Sequence, residues 1–207
     1  MNFKIGKIMK NIKKVVLASL LLITSLSAYD KFGDLTEYSL VGIEMGYGQV
    51  SSEITDASVS PIKYKETDKS LLHLGVKLGA ENQHYRVLLS GRYAKDTGST
   101  FDYLMNYEIE IDYLFNVSSY ANIFLGAHTG ISYMKFNIKG EPFSRTTSSG
   151  YYGGNFGVNF HATRTMDIEL GTRISLMDVS NIKNNVKYKF NDTVSGYCSI
   201  IFKYQMD

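Results

Sequence analysis

Residues 103–115 read YLMNYEIEIDYLF, and they alternate without a fault. Tyr103, Met105, Tyr107, Ile109, Ile111, Tyr113 and Phe115 fall on one side; Leu104, Asn106, Glu108, Glu110, Asp112 and Leu114 fall on the other. Successive side chains of a strand point to opposite faces, so this stretch is a strand between two different environments.

Working outward, the same period recurs in seven further blocks. The first sets Val41, Ile43, Met45 and Tyr47 against Gly42, Glu44 and Gly46, and the second sets Leu72, Leu74, Val76 and Leu78 against His73, Gly75, Lys77 and Gly79. In the third, Tyr85, Val87, Leu89 and Tyr93 oppose Arg86, Ser90 and Arg92. The fifth sets Ile123, Leu125, Ala127, Thr129, Ile131 and Tyr133 against Phe124, Gly126, His128, Gly130 and Ser132, with Phe124 as the irregular member. The sixth opposes Tyr152, Phe156, Val158 and Phe160 to Gly153, Asn155, Gly157, Asn159 and His161. The seventh opposes Ile168, Leu170, Ile174 and Leu176 to Asp167, Glu169, Gly171 and Arg173. The eighth opposes Val194, Cys198, Ile200, Phe202 and Tyr204 to Ser195, Tyr197, Ser199, Lys203 and Gln205.

Composition agrees with strands. The 207 residues hold 18 Gly, 16 Tyr and 11 Phe but 2 Pro and no Trp, an inventory that disfavours a helical bundle. Cys198 is the single cysteine, which excludes an intrachain disulfide and a multi-thiolate zinc site. The net charge of +2 is a property of the N-terminal segment, where Lys4, Lys7, Lys10, Lys13 and Lys14 stand without an acid. Without those five the chain carries 17 Lys and Arg against 20 Asp and Glu, a balance of −3 that gives no reason to expect nucleic acid as a partner.

The basic stretch leads into an apolar run from Val15 to Ile23 and then Thr24-Ser-Leu-Ser-Ala28. These are the three regions of a secretory signal peptide, expected to be cleaved after Ala28. About a dozen apolar residues fall short of the roughly 20 that cross a bilayer as a helix. Met9 offers a second in-frame start. The expected division is a signal peptide over 1–28, a short periplasmic segment over 29–37 and a barrel over 38–207.

Alternation suits a soluble sandwich and a membrane barrel equally, with the faces exchanged. Three features decide for the barrel. The apolar face of all eight blocks is free of charge, over lengths of roughly 9 to 11 residues that cross a bilayer when tilted. Ten glycines (42, 46, 48, 75, 79, 126, 130, 153, 157 and 171) fall on the polar face, where a narrow cylinder needs room for long neighbours. Aromatic residues gather at the ends of the apolar runs, Tyr47, Tyr93, Tyr103, Tyr133 and Tyr152 at one rim and Tyr85, Phe115, Phe160, Phe202 and Tyr204 at the other, as an interfacial girdle does. The connections also sort, with short links at 81–84, 116–121 and 163–165 and longer ones at about 49–69, 94–102, 137–149 and 177–192. Pro61 and Pro142 both fall in the long ones.

On these residues the chain resembles the small eight-stranded outer-membrane barrels of the OmpA, OmpX and Opa kind, over residues 38–206. The resemblance implies an all-β, antiparallel, up-and-down transmembrane barrel with short periplasmic turns and longer extracellular loops. It also implies a monomer in outer-membrane lipid and lipopolysaccharide, delivered by the export and barrel-insertion machinery. The end of the chain, Phe202-Lys-Tyr204-Gln-Met-Asp207, lacks the terminal Phe that this machinery reads, so Tyr204 is expected to take that part.

The inward row carries Glu44, Glu108, Glu110, Asp112, Asp167 and Glu169 against Lys77, Arg86, Arg92, Arg173 and Lys203. Buried charges must be paired, so this row is expected to plug the cylinder as a network. An ion or small-solute path is the alternative. His73, His128 and His161 point inward by register on separate strands and are expected to be members of that network. No His stands in the His-x-Ser arrangement of barrels that modify lipid A, and neither catalysis, a cofactor nor a metal is expected. Cys198 is expected to face lipid. Function then lives in the loops, as a structural or adhesion-like surface role. The first of these, with Glu53, Asp56, Lys63, Lys65, Glu66, Asp68 and Lys69, is too mixed in charge to indicate a ligand.

Overall fold

The structure is a computed structural model that describes residues 38–56, 63–96, 101–136, 145–177, 179–183 and 186–205. The expected signal peptide, the segment to residue 37, Pro61 and Pro142 lie outside these residues. Nine strands follow in order: β1 (Tyr38–Asp56), β2 (Lys63–Glu81), β3 (Tyr85–Asp96), β4 (Phe101–Ser118), β5 (Ala121–Phe136), β6 (Arg145–Thr163), β7 (Met166–Met177), β8 (Val179–Lys183) and β9 (Val186–Gln205).

Each strand from β1 to β7 pairs antiparallel with the next, β7 pairs with β9, and β9 returns to β1 with Val41 opposite Phe202 and Ile43 opposite Ile200. The sheet is therefore a closed cylinder of eight staves, β1 to β7 and β9, which leaves no edge along the barrel wall. The five residues of β8 pair with β9 between Val186 and Phe190. Since β1 occupies the other edge of β9 over that length, β8 prolongs the stave begun by β7.

The short links tighten to 82–84, 119–120 and 164–165, and each is held by a turn-forming side chain. The Asn82 carboxamide oxygen accepts from the amides of His84 (2.9 Å) and Tyr85 (2.8 Å). Ser118 Oγ accepts from the Tyr120 amide and Thr163 Oγ1 from the Thr165 amide, both at 3.2 Å. At the opposite end strand reaches into each of the expected long loops and takes up most of 49–69 and 177–192. The β1–β2 ladder runs to Asp56 opposite Lys63, so the acidic and basic residues assigned to the first loop stand on paired strands. β1 continues there between β2 and β9. The sequence hides this because the apolar periodicity stops where the oily environment would stop, while the ladder goes on.

The two faces separate as the alternation requires. Outward side chains such as Ile43, Leu74, Val76, Leu89, Ile111 and Leu170 are half or more exposed, whereas the opposite row is buried. Leu176 keeps its outward parity, opposite Tyr152 and between the inward Ser175 and Met177, but is buried at 5% exposure.

Candidate functional site

The interior is the place where this chain concentrates ionisable groups, and it is built from one row of each stave. On β1 that row is Leu40, Gly42, Glu44, Gly46, Gly48 and Val50. All eleven charged residues expected inside are buried, at 9% exposure or less. Arg173 is shared among three acids: Nη1 donates to Glu44 Oε1 (3.0 Å), Nη2 to Glu110 Oε2 (2.9 Å), and Nε lies 3.3 Å from Glu108 Oε1. Lys77 Nζ bridges Glu44 Oε2 (2.9 Å) and Glu169 Oε1 (2.8 Å). Arg86 donates through Nε and Nη2 to Asp112 Oδ2 at 2.9 and 2.7 Å and is paired to Glu169 as well. Arg92 pairs with Glu108, whose Oε2 also accepts from the Tyr151 hydroxyl at 2.7 Å.

These contacts form one unbroken chain, Arg92–Glu108–Arg173–Glu44–Lys77–Glu169–Arg86–Asp112, with each interior cation touching at least one acid and all but Arg92 touching two or more. That is the condition under which buried charge is tolerable, since a lone buried ion costs several kcal/mol. A separate cluster closes the end with the short turns. There Lys203 Nζ lies 2.6 Å from both Glu81 Oε1 and Asp167 Oδ2, and Asp167 also accepts from Asn159 Nδ2 (2.7 Å) and contacts His161 Nδ1 (2.9 Å).

Aromatic rings complete the filling. Lys77 Nζ stands 4.4 Å and Arg173 Cζ 4.5 Å from the Tyr197 ring centre, and Arg86 Cζ stands 5.0 Å from that of Phe124. Glycines on facing strands make the room: a Cβ on Gly171 would come within 2.5 Å of Tyr197 Cζ, and one on Gly157 within 2.6 Å of Phe124 Cζ. Phe124, the irregular member of its block, is thus a wholly buried lumen residue.

Sequence reasoning missed part of this interior. Glu81, expected in the short link 81–84, lies two residues beyond Gly79 on the inward row of β2 and is an ion-pair partner. Val50, Leu71, Ala94, Leu104, Met134, Tyr151 and Met177 form an apolar cluster inside the barrel, four to six residues beyond the charges toward the longer hairpins on most staves. Leu40, Leu88 and Ile201 form another toward the short turns, with Tyr38 packed against it. The signal was parity: each stands on the inward row of its strand, Leu88 between Arg86 and Ser90 and Ile201 between Ser199 and Lys203. His73 Nε2 contacts Glu44 Oε1 at 3.1 Å, and His128 Nε2 pairs with Ser175 Oγ at 2.9 Å, a partner no local motif announces. Among the described residues no group of three or more His, Cys, Asp and Glu is disposed to hold a metal ion.

Of the aromatic residues expected at the rims, Tyr47, Tyr93, Phe115, Tyr133, Tyr152, Phe160, Phe202 and Tyr204 are exposed on the outer face, and Tyr85 and Tyr103 are half-buried there. Tyr85 meets Tyr113 edge-on at 5.2 Å, and Tyr113 meets Phe115 at 4.7 Å. Toward the longer hairpins Tyr93 stacks on Tyr103 at 5.7 Å. Cys198 is half-buried in the outward row, opposite Met45 and Leu170.

No protein-family model matches the chain, and no curated protein matches it significantly. Solved structures do. The outer membrane protein OprG from Pseudomonas aeruginosa aligns at 12% identity with a TM-score of 0.57, over 83% of this chain and 98% of that one. Outer membrane protein H (OprH) from P. aeruginosa, solved in DHPC micelles, aligns at 15% identity and a TM-score of 0.51, over 81% and 99%. AlkL, an outer membrane protein solved in DMPC bilayers, aligns at 11% identity and 0.50, over 86% and 94%. At such identities the likeness is one of fold: this chain has the fold of the small eight-stranded outer-membrane barrels.

Proposed function

We propose that this chain is an integral outer-membrane barrel, exported by its N-terminal segment with cleavage after Ala28, in which the interior is a structural plug and any ligand meets the outer hairpins. The observation that carries the reading is the filled interior. A continuous ion-paired chain and apolar clusters fill it together, and the cavity bordered by His73, Arg92, Asn106 and Ser175 is about 30 Å³, room for a water molecule or two. An outer wall without charge over its apolar runs, with tyrosines toward their ends, supports lipid as the surroundings. The role is then structural or adhesion-like, and the protein acts as a monomer.

Conduction is disfavoured because an ion would have to pass an apolar cluster and displace the paired groups beneath it. Catalysis is disfavoured because the His128–Ser175 pair is buried at 3% and 4% exposure, and Nδ1 of His128 has no hydrogen-bond partner to orient the ring.

Two measurements test the proposal. The protein is expected to remain with outer membranes after carbonate washing and to migrate faster unboiled than boiled on a denaturing gel. Reconstituted into a planar bilayer, it is expected to give no single-channel steps. Regular unitary steps from the folded form would replace the plug with a pore.

A further inference from the structure

The cavity of about 30 Å³ beside Arg92 lies where the ion-paired chain meets the apolar cluster toward the longer hairpins. On three neighbouring staves the inward row passes from polar to apolar within two residues: His73 to Leu71 on β2, Arg92 to Ala94 on β3, and Asn106 to Leu104 on β4. These residues line the cavity, the apolar ones toward the longer hairpins, and Ser175 of β7 adds a hydroxyl. Small residues make the space. Ala94 stands opposite both His73 and Leu104, and Gly46 lets the His73 ring lie against β1, since a Cβ there would collide with that ring.

Two of the lining side chains carry unpaired groups. Arg92 and Asn106 are directly opposite each other on β3 and β4, at 7% and 9% exposure. Arg92 Nη2 donates to Glu108 and to the Tyr151 hydroxyl, and Arg92 is the interior cation with a single carboxylate partner. Its Nε–H has no hydrogen-bond partner, and neither has Asn106 Oδ1. Buried polar groups as a rule are hydrogen-bonded. A guanidinium N–H only donates and a carboxamide oxygen only accepts, so a molecule joining the two must do both. A halide accepts from Arg92 but brings no proton to Asn106 Oδ1, and the Glu108 carboxylate beside the guanidinium repels it. A metal cation meets Asn106 Oδ1 but is repelled by Arg92. Water satisfies both, and since about 10–15 Å³ of such space admits one molecule, the cavity admits two.

We infer that this cavity is a hydration site of the barrel interior, in which one water molecule accepts from Arg92 Nε–H and donates to Asn106 Oδ1, and a second beside it meets the Ser175 hydroxyl. The ion-paired chain then ends in water under the apolar cluster, and Arg92 is satisfied without a second acid.

The test uses the full barrel, isotope-labelled and folded in deuterated micelles, with faster unboiled migration as the check of closure. Cross-relaxation between water and the Arg92 Nε–H proton is read by nitrogen-edited NOESY and ROESY, and Arg92→Lys identifies the signal by its loss. The expected result is a cross-peak of opposite sign in the two spectra, which marks a long-lived contact. Asn106→Leu removes the acceptor, and Ala94→Val fills the space from the apolar side without touching a polar group. Each abolishes the cross-peak while the Nε–H signal stays. Tyr151→Phe and Ser175→Ala leave it in place, because only a peak relayed through an exchanging hydroxyl vanishes with that hydroxyl. A folded parent without the cross-peak, or one that loses it with either hydroxyl, overturns the inference. So does a cross-peak that persists in an Ala94→Val barrel migrating as the parent does. A saturating shift of the Arg92 Nε resonance when bromide replaces chloride marks a halide site instead and overturns it as well. Should Asn106→Leu fail to fold, Ala94→Val carries the test alone.

Discussion

Arg173 concentrates much of the electrostatics of the interior in one side chain. Its guanidinium serves Glu44, Glu108 and Glu110 at once and lies over Tyr197, so Arg173→Leu leaves three buried carboxylates short of a partner. The expected loss is about 3–5 kcal/mol, read as a lower urea midpoint for refolded protein in phospholipid vesicles. Gly171 is the steric counterpart. Gly171→Ala pushes a methyl against the Tyr197 ring and is expected to cost about 1–3 kcal/mol. In a Tyr197→Ala background the same substitution is expected to cost less than about 1 kcal/mol, because the group it collides with is gone. Additive penalties would show that Gly171 serves another purpose.

At the scale of elements, the strands outrun the apolar pattern that announces them. β1 spans 19 residues and β9 spans 20, well beyond the roughly 9–11 needed to cross a bilayer. Between Ser52 and Asp56, β1 is hydrogen-bonded on both sides, to β2 and to β9, while β2 from Lys63 to Ser70 has β1 on one side and meets β3 only from Leu71 onward. Hydrogen exchange is therefore expected to be slow throughout Ser52–Asp56, and alternately slow and fast along Lys63–Ser70. Replacing residues 57–62 with Asn-Gly joins Asp56 to Lys63 by a two-residue turn suited to their pairing. Such a variant is expected to fold as the parent does, with a urea midpoint shifted by no more than about 0.5 kcal/mol.

For the whole molecule, the interior is closed at more than one level: an apolar cluster toward the longer hairpins, then the ion-paired chain, which toward the short turns interleaves with a second apolar cluster, Leu88 standing between Arg86 and Ser90 on β3, and the Lys203 cluster at the short turns. Closure in series has a consequence that a single gate lacks. Leu104→Ala with Met134→Ala and Tyr151→Ala empties the first layer, yet the barrel is expected to stay silent in a planar bilayer, because the Arg173 layer beneath still blocks it. Conductance appearing on that change alone would place the closure in the apolar layer.

What was legible in the amino-acid order was whatever the two-residue period records. YLMNYEIEIDYLF was enough to assign a strand with an oily and an ionic side. Repetition of that pattern eight times, glycines on the ionic side and a short link at every second connection specified the antiparallel barrel and the direction each side chain faces. Those properties are local: a strand's faces follow from its own residues whatever its neighbours do. The pairings inside the barrel are not local. Arg173 lies 129 residues from Glu44 and His128 lies 47 from Ser175, and no spacing along the chain brings such groups together. Closing the cylinder and staggering its staves decided those partners, brought Glu81 to Lys203, and turned Phe124 and Leu88 into filling.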